Sequence, residues 1–247
     1  MSIPIQVEGL TVSYGRGAKR VRAVQEVSFT VAEGECVGFI GANGAGKSTT
    51  IKALMGFIFP EQGETRLYGA PSGDPEGRRH VGYLPEVALY YPFMRAGELL
   101  TLYGSLSGLT RADLRRRIPI VLEQVGLGGR ERELLRTFSK GMQQRLGIAQ
   151  ALIAEPKLLI LDEVSAGLDP LGRHDLRALL QELRKAGRTI FFSSHELSEV
   201  ESLCNRVIMI DQGRLCHEVT QAELQAVGRK QSLESFFIST VRGGAAT

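Results

Sequence analysis

The chain has 247 residues, 43% of them hydrophobic, enough for one sizeable globular domain or for a core carrying a small subdomain. Thirty basic against 27 acidic residues leave a net charge of +3, which is too small and too scattered for a nucleic-acid binder; the one dense basic run, Arg115-Arg116-Arg117, reads as a solvated helix face. Cys36, Cys204 and Cys216 form neither a CxxC pair nor a metal-ligand spacing, and point to ordinary thiols in a reducing compartment, the cytosol.

The opening residues, MSIPIQVEGL, lack the basic and long apolar stretches of a signal peptide, and no segment approaches the roughly 18 apolar residues that cross a bilayer. The chain is therefore expected to be soluble, reaching any membrane through partners. Residues 3–12 and 21–31 are rich in β-branched side chains and alternate as strands do, with the turn-rich Tyr14-Gly15-Arg16-Gly17 between them. Cys36 to Ile40 is an apolar run that predicts a buried strand, followed by a glycine-rich loop and a helix from about Lys47 to Met55. Two short strand-like pieces, ETRLYG and HVGYLP, come next. From Glu98 to about Ala154 the pattern is helical, with breaks near Leu109 and across Leu127 to Thr137, and Pro119 predicts a kink or a fresh start near Ile118. Strand signals return at Lys157–Leu161, Thr189–Ser193 and Arg206–Asp211, separated by the helices DLRALLQELRKAG and ELSEVESLCN. Strands alternating with helices imply an α/β core, a parallel sheet covered on both faces, with the helical stretch inserted into it. The tail GGAAT is expected to be disordered.

Gly41-Ala42-Asn43-Gly44-Ala45-Gly46-Lys47-Ser48 fits the phosphate-binding pattern GxxxxGK[ST] at every position, with a strand before it and a helix after it. The glycines let successive N–H groups curl inward, and the helix adds its positive end. Lys47 is placed to reach the β- and γ-phosphates and the Ser48 hydroxyl to ligate Mg2+. Such a loop alone leaves kinases, GTPases and motor ATPases open. Leu158-Leu159-Ile160-Leu161-Asp162-Glu163 narrows the choice: it is a buried strand ending in two acids. Ligands of open α/β sheets collect at the carboxyl ends of strands, so both acids are expected to face the crevice of the phosphate loop. Asp162 would hold Mg2+ through water, and Glu163 would polarise the attacking water.

Phe138-Ser139-Lys140-Gly141-Met142-Gln143-Gln144-Arg145, running into LGIAQALIAEP, resembles the signature segment of the ABC ATPase family. The resemblance covers nearly the whole chain, with its motifs in order. It implies that Tyr14 stacks on adenine, that Glu86 stands at the Q-loop position, that Ser165 to Asp169 form the D-loop, and that His195 in SSHEL is the switch histidine. The implied ATP site comprises Tyr14, Gly41, Ala42, Asn43, Gly44, Ala45, Gly46, Lys47, Ser48, Thr49 and Glu86, with Ser139, Lys140 and Gly141 facing nucleotide held by a second protomer. The implied metal ligands are Ser48, Asp162 and Glu86; the implied catalytic residues are Glu163, His195 and Lys47. The implied architecture is a P-loop NTPase core with a mostly parallel sheet, an N-terminal antiparallel β subdomain and an inserted α-helical subdomain at about 87–154. The ATPase domain would span 1–225 and a C-terminal extension 226–247. The implied cofactors are ATP and Mg2+. Expected partners are transmembrane permease subunits and a second copy of the chain or a paralogous ATPase subunit, with no nucleic acid, at the cytoplasmic face of a bacterial inner membrane. YLPE and SKGMQQRLG resemble the ABC-2 export branch.

The chain departs from the family pattern at Glu86 in place of glutamine, Lys140 in place of glycine, Met142 in place of glutamine and Val164 in place of proline. None of these removes a group essential to the chemistry. Ser139 has a second role open to it, as the N-cap of the helix that follows. The aromatic segment Val87 to Met94 either grips a partner helix, with Tyr90 and Phe93 as the contacts, or packs into the helical insertion itself. Rival classes fit less well. A GTPase would need an NKxD motif, which the sequence lacks, and a small-molecule kinase would not need the signature, D-loop and switch histidine together. Ribosome- or DNA-directed relatives would show two cassettes or a long coiled coil. A degenerate subunit would lack one of Lys47, Asp162, Glu163 and His195. His80, His174 and His217 match no motif, and the stretch from about residue 220 reads either as a dimer-stabilising extension or as a docking element.

Overall fold

The structure is a computed structural model that describes residues 3–165, 168–195, 197–220, 222–224 and 233–243. In chain order the strands are β1 (Ile5–Tyr14), β2 (Val21–Val31), β3 (Cys36–Ile40), β4 (Gln62–Leu67), β5 (Ala70–Pro71), β6 (Val81–Leu84), β7 (Leu158–Leu161), β8 (Thr189–Ser194), β9 (Arg206–Asp211) and β10 (Arg214–Thr220). The helices are α1 (Lys47–Leu54), α2 (Pro75–Arg78), α3 (Ala96–Leu106), α4 (Arg111–Gln124), α5 (Lys140–Leu152), α6 (Pro170–Lys185), α7 (Leu197–Leu203) and α8 (Leu233–Gly243). The chain divides into two units, one of Met1–Arg78 with Thr189–Thr247 and one of Arg79–Arg188.

In the first unit β1 pairs antiparallel with β2, Ile5 opposite Val31, and with β4, Ile5 opposite Leu67. Val27, Phe29 and Val31 of β2 are buried and alternate with exposed Glu26, Ser28 and Thr30, as in a sheet with one face covered. β3 lies parallel between β8 and β9, and β10 returns antiparallel along β9. Every residue of β3 and β8 is buried. The rings of Phe29, Phe39 and Phe191 meet with centroids 5.7, 5.6 and 5.4 Å apart, joining β2 to the parallel strands. β3 carries a glycine at Gly38 because α7 crosses there: a Cβ would lie 2.5 Å from Val200 Cγ1. Arg206 ties β9 to β10 and to the turn before β3, pairing with Glu218 at 2.8 Å and Glu35 at 2.9 Å.

In the second unit β6 and β7 are parallel, Val81 opposite Leu158. α5 packs directly on β6, since a Cβ at Gly82 would lie 2.2 Å from the Ala151 carbonyl oxygen. α3 and α4 cross closely at Gly104, where a Cβ would meet Leu114 at 2.3 Å. Thr110 and Asp113 form a reciprocal capping box at the start of α4.

Where a kink or a fresh start near Ile118 is expected, there is no fresh start: α4 is one helix from Arg111 to Gln124 through Pro119. Leu114, Ile118, Val121 and Leu122 keep one face buried while Pro119 points to solvent, so packing outweighs the one hydrogen bond that proline removes. β10 and α8 form a further strand and helix, and His217 of β10 packs on Phe236 of α8 with centroids 5.7 Å apart. The helices expected as an insertion fall within the second unit, which is wider and also takes in β6, β7 and α6. Ala166 and Gly167 of the D-loop, Glu196 of SSHEL, and 244–247, where disorder is expected, lie outside the described residues. Among the described residues no helix is long and apolar enough to cross a membrane.

Candidate functional site

In the first unit the phosphate loop leaves the buried end of β3 and enters α1 through Gly46, whose φ is +110°. Two of its glycines are fixed by neighbouring backbone: a Cβ at Gly41 would lie 2.3 Å from the Ile210 carbonyl oxygen, and one at Gly46 would lie 2.6 Å from that of Ala23. The loop is closed by Ala45 N–H donating to the Ala42 carbonyl at 3.1 Å, and Gly213 N–H donates to the Ala45 carbonyl at 2.9 Å. Thr50 Oγ1 donates to the Gly46 carbonyl at 3.0 Å and holds the first turn. Ala42, Asn43 and Gly44 are exposed; Ser48 and Thr49 are half-buried on the first turn of α1. Lys47 is only 6% exposed, and its ammonium donates to the carbonyls of Gly41 at 2.8 Å and Ala42 at 3.3 Å. The charge is thus folded over the loop's own backbone.

Tyr14, exposed at the end of β1, comes within 3.4 Å of the Thr49 hydroxyl through its own. This sets an accessible aromatic ring beside the loop. His195 is exposed and follows Ser194, which stands opposite Ile40 in the parallel β3–β8 register. His195 and Gly41 therefore leave the sheet at the same end, and the first unit brings together Tyr14, the phosphate loop and His195.

In the second unit Leu84 stands opposite Leu161, and Asp162 N–H extends the ladder by donating to the Leu84 carbonyl at 2.8 Å. Glu86 and the Asp162–Glu163 pair thus leave the β6–β7 pair at the same, carboxyl end of the two strands. Asp162 is 2% and Glu163 6% exposed, whereas Glu86 is exposed. Burial, and then the charge of Asp162, push the Tyr83 phenol up to about 12. Glu163 has φ +50°, a left-handed conformation that a non-glycine residue holds only under constraint.

Ser139 caps α5 by accepting from Met142 N–H at 3.2 Å. Ser139 and Lys140 are exposed, and a Cβ at Gly141 would meet nothing nearer than Leu168 Cδ2 at 3.7 Å. Unlike Gly41 and Gly46, Gly141 is not required by the packing around it. A cavity of about 410 Å3 opens here, lined by Arg130, Ser139, Lys140, Gly141, Arg145 and Asp169 among others. Of its three cations, Arg145 pairs with Asp175 and Arg130 with Glu133, each at 2.9 Å, and Lys140 stands exposed beside the Ser139 cap. Asp169 in turn caps α6, its Oδ1 accepting from Gly172 N–H at 2.7 Å.

A profile of the ABC transporter family matches residues 24–166. The chain belongs to the ABC transporter family. An uncharacterized ABC transporter ATP-binding protein of Synechocystis sp. is 42% identical over 208 residues, covering 83% of this chain and 59% of that protein. This family member thus spans about 59% of the length of its cyanobacterial relative. The bacitracin transport ATP-binding protein of Bacillus licheniformis is 40% identical over 233 residues, 93% of this chain and 74% of that one. Among solved structures, the ATP-binding subunit of an ABC transporter matches with a TM-score of 0.84 at 34% identity, covering 96% of this chain and 99% of the other. The fold is that of an ABC ATPase cassette.

Against the family pattern, the aromatic segment after Glu86 divides. Tyr90 turns inward, its hydroxyl donating to Gln150 Oε1 at 3.0 Å, and burial raises its phenol well above the usual range. Val87, Leu89, Tyr91 and Phe93 are exposed, with the last two rings 5.5 Å apart. Sequence reasoning gave no role to Gln144, whose carboxamide is buried and donates to the Val164 carbonyl at 2.7 Å. The available signal was a polar residue one helical turn before Ile148, on the face of α5 that packs inward.

Among the described residues no group of three or more histidine, cysteine or acidic side chains could hold a metal alone. Mg2+ does not ask for one, since it takes one or two protein oxygens and fills its octahedron with water and phosphate. The Ser48 hydroxyl and the Asp162 carboxylate are donors of that kind.

Proposed function

We propose that this chain binds MgATP, hydrolyses it, and pairs with a second ATPase subunit, a copy of itself or a paralogue, to power export through separate transmembrane subunits. The observation that carries the ATPase reading is the combination of a sterically formed phosphate loop, with Lys47 folded onto it, and the buried Asp162–Glu163 pair at a strand end. The loop amides and Lys47 would bind the β- and γ-phosphates, and Tyr14 would stack on the base. Ser48 and Asp162, with Glu86 as a further oxygen donor, would hold Mg2+, which supplies charge neutralisation when bound. Glu163 would accept from the attacking water and His195 would donate to the γ-phosphate, so that the protein acts by positioning and charge rather than by covalent chemistry. Ser139, Lys140 and Gly141 would receive the γ-phosphate held by the partner subunit. Exposed Ser139 and Lys140 at the start of α5, and the glycine that packing does not demand, support this role.

Purified chain supplied with ATP and Mg2+ should release phosphate at a rate that climbs more steeply than linearly with protein concentration, as hydrolysis in a dimer requires. Nucleotide binding without Mg2+-dependent phosphate release at any concentration would leave a binding subunit only.

The exposed patch of Val87, Leu89, Tyr91 and Phe93 suits the cytoplasmic helix of a membrane subunit. The name of the bacitracin transport relative supports a role in transport; the reading extends this to export, with the chain peripheral at the cytoplasmic face of the membrane and no nucleic-acid partner. Tyr91→Ser with Phe93→Ser should cut co-purification of a multi-spanning membrane protein at least tenfold while nucleotide affinity holds. Undiminished recovery of that partner would place its contact elsewhere.

A further inference from the structure

We propose that Gln144 is a positioning residue for Glu163, joining the signature helix to the hydrolytic carboxylate within one subunit; the assignment rests on the ATPase reading above. Glu163 sits at φ +50°, where the Cβ of an L-residue crowds the backbone, so its neighbours must hold it there. The hold comes from both sides. Upstream, Asp162 N–H donates to the Leu84 carbonyl at 2.8 Å, which fixes the end of β7. Downstream, the Val164 carbonyl accepts from Gln144 Nε2 at 2.7 Å in a fully enclosed setting, with Val164 itself 1% exposed. A buried carboxamide and a buried carbonyl each need a partner, and here each is the other's. Glu163 is therefore bracketed by one strand bond and one side-chain bond, and the second comes from the helix that Ser139 caps.

The next residue on α5 extends the connection. Arg145 Nη2 pairs with Asp175 Oδ2 of α6 at 2.9 Å, and α6 is the helix that follows Asp169. Two consecutive residues of the signature helix thus grip the backbone just after Glu163 and the helix beyond the D-loop. Gln144 lies five residues, about 7 Å of helix, from Ser139. A helix moves as a rigid rod over that distance, so a shift of the capped end on meeting an anion is delivered to the peptide next to Glu163.

Gln144→Met keeps the volume and removes the donor. It should lower kcat at least tenfold while KM for ATP stays within twofold and the melting temperature within a few degrees. In single-turnover hydrolysis its effect should vanish in a Glu163→Gln background, because it acts through that carboxylate. Gln144→Glu supplies a second readout: its rate relative to wild type should rise as pH is lowered, since only the protonated carboxyl can donate to Val164. A kcat for Gln144→Met within twofold of wild type, or losses that multiply in the double variant, would overturn the assignment. Absence of hydrolysis by the wild-type chain would instead overturn the ATPase reading, and this assignment with it.

Discussion

Lys47→Ala is expected to abolish useful nucleotide binding, raising the dissociation constant for ATP at least a hundredfold. The ammonium is 6% exposed and donates to the Gly41 and Ala42 carbonyls. Two unit charges about 4 Å apart attract by roughly 4 kcal/mol at the effective dielectric of a protein surface. Even half to three quarters of that, about 2–3 kcal/mol, is worth some thirty- to more than a hundredfold in affinity. The phosphates carry several charges, which places the expected loss at the upper end. The fold should survive, because the loop is also closed by Ala45 and by Gly213, bonds that do not involve the lysine side chain. Calorimetric titration with ATP, beside a thermal melt without nucleotide, separates the two effects. Affinity retained within threefold, in a protein that melts normally, would mean that the loop amides alone carry the phosphates.

The phosphate loop was legible in the sequence because its determinants are local. Gly41 and Gly46 stand where backbone passes within 2.3 and 2.6 Å of a would-be Cβ, and eight consecutive positions record that constraint. The buried strands β3, β7 and β8 were legible for a related reason, since a strand covered on both faces must be apolar throughout. What escaped was set by contacts between distant segments. Tyr90 and Tyr91 are adjacent and chemically identical, yet one is bonded to Gln150 and the other exposed; only the placement of α5 decides which. Pro119 reads as a break until α4 is seen to bury the opposite face. The left-handed turn at Glu163 leaves no mark in composition, because a glycine there would be easier on the backbone and useless to the chemistry. Gln144 was visible as a letter of the signature, but its function lies in a bond to a residue 20 positions away.

Glu163→Gln is expected to lower kcat by about two to four orders of magnitude, the range that proton-accepting side chains contribute, which corresponds to roughly 3–5 kcal/mol of barrier. The substitution is nearly isosteric. It keeps the side chain in a 6% exposed site and leaves both backbone anchors, Asp162 to Leu84 and Gln144 to Val164, untouched. What it removes is charge and basicity. Loss of the charge also relieves the repulsion between a buried carboxylate and the phosphates, so ATP should bind at least as tightly as in wild type. With binding intact and hydrolysis arrested, subunits paired around ATP should accumulate. Size-exclusion chromatography with light scattering should then report twice the monomer mass with MgATP and the monomer mass with MgADP. The two readouts bear on different parts of the mechanism. Arrested hydrolysis without a mass change would keep Glu163 as the water-activating group and remove pairing as the step that ATP binding drives. A rate within threefold of wild type would move water activation away from Glu163. Of the acids at that strand end, Asp162 is the one proposed to hold the metal, and Glu86, exposed at the end of β6, would then be reassigned from metal ligand to proton acceptor.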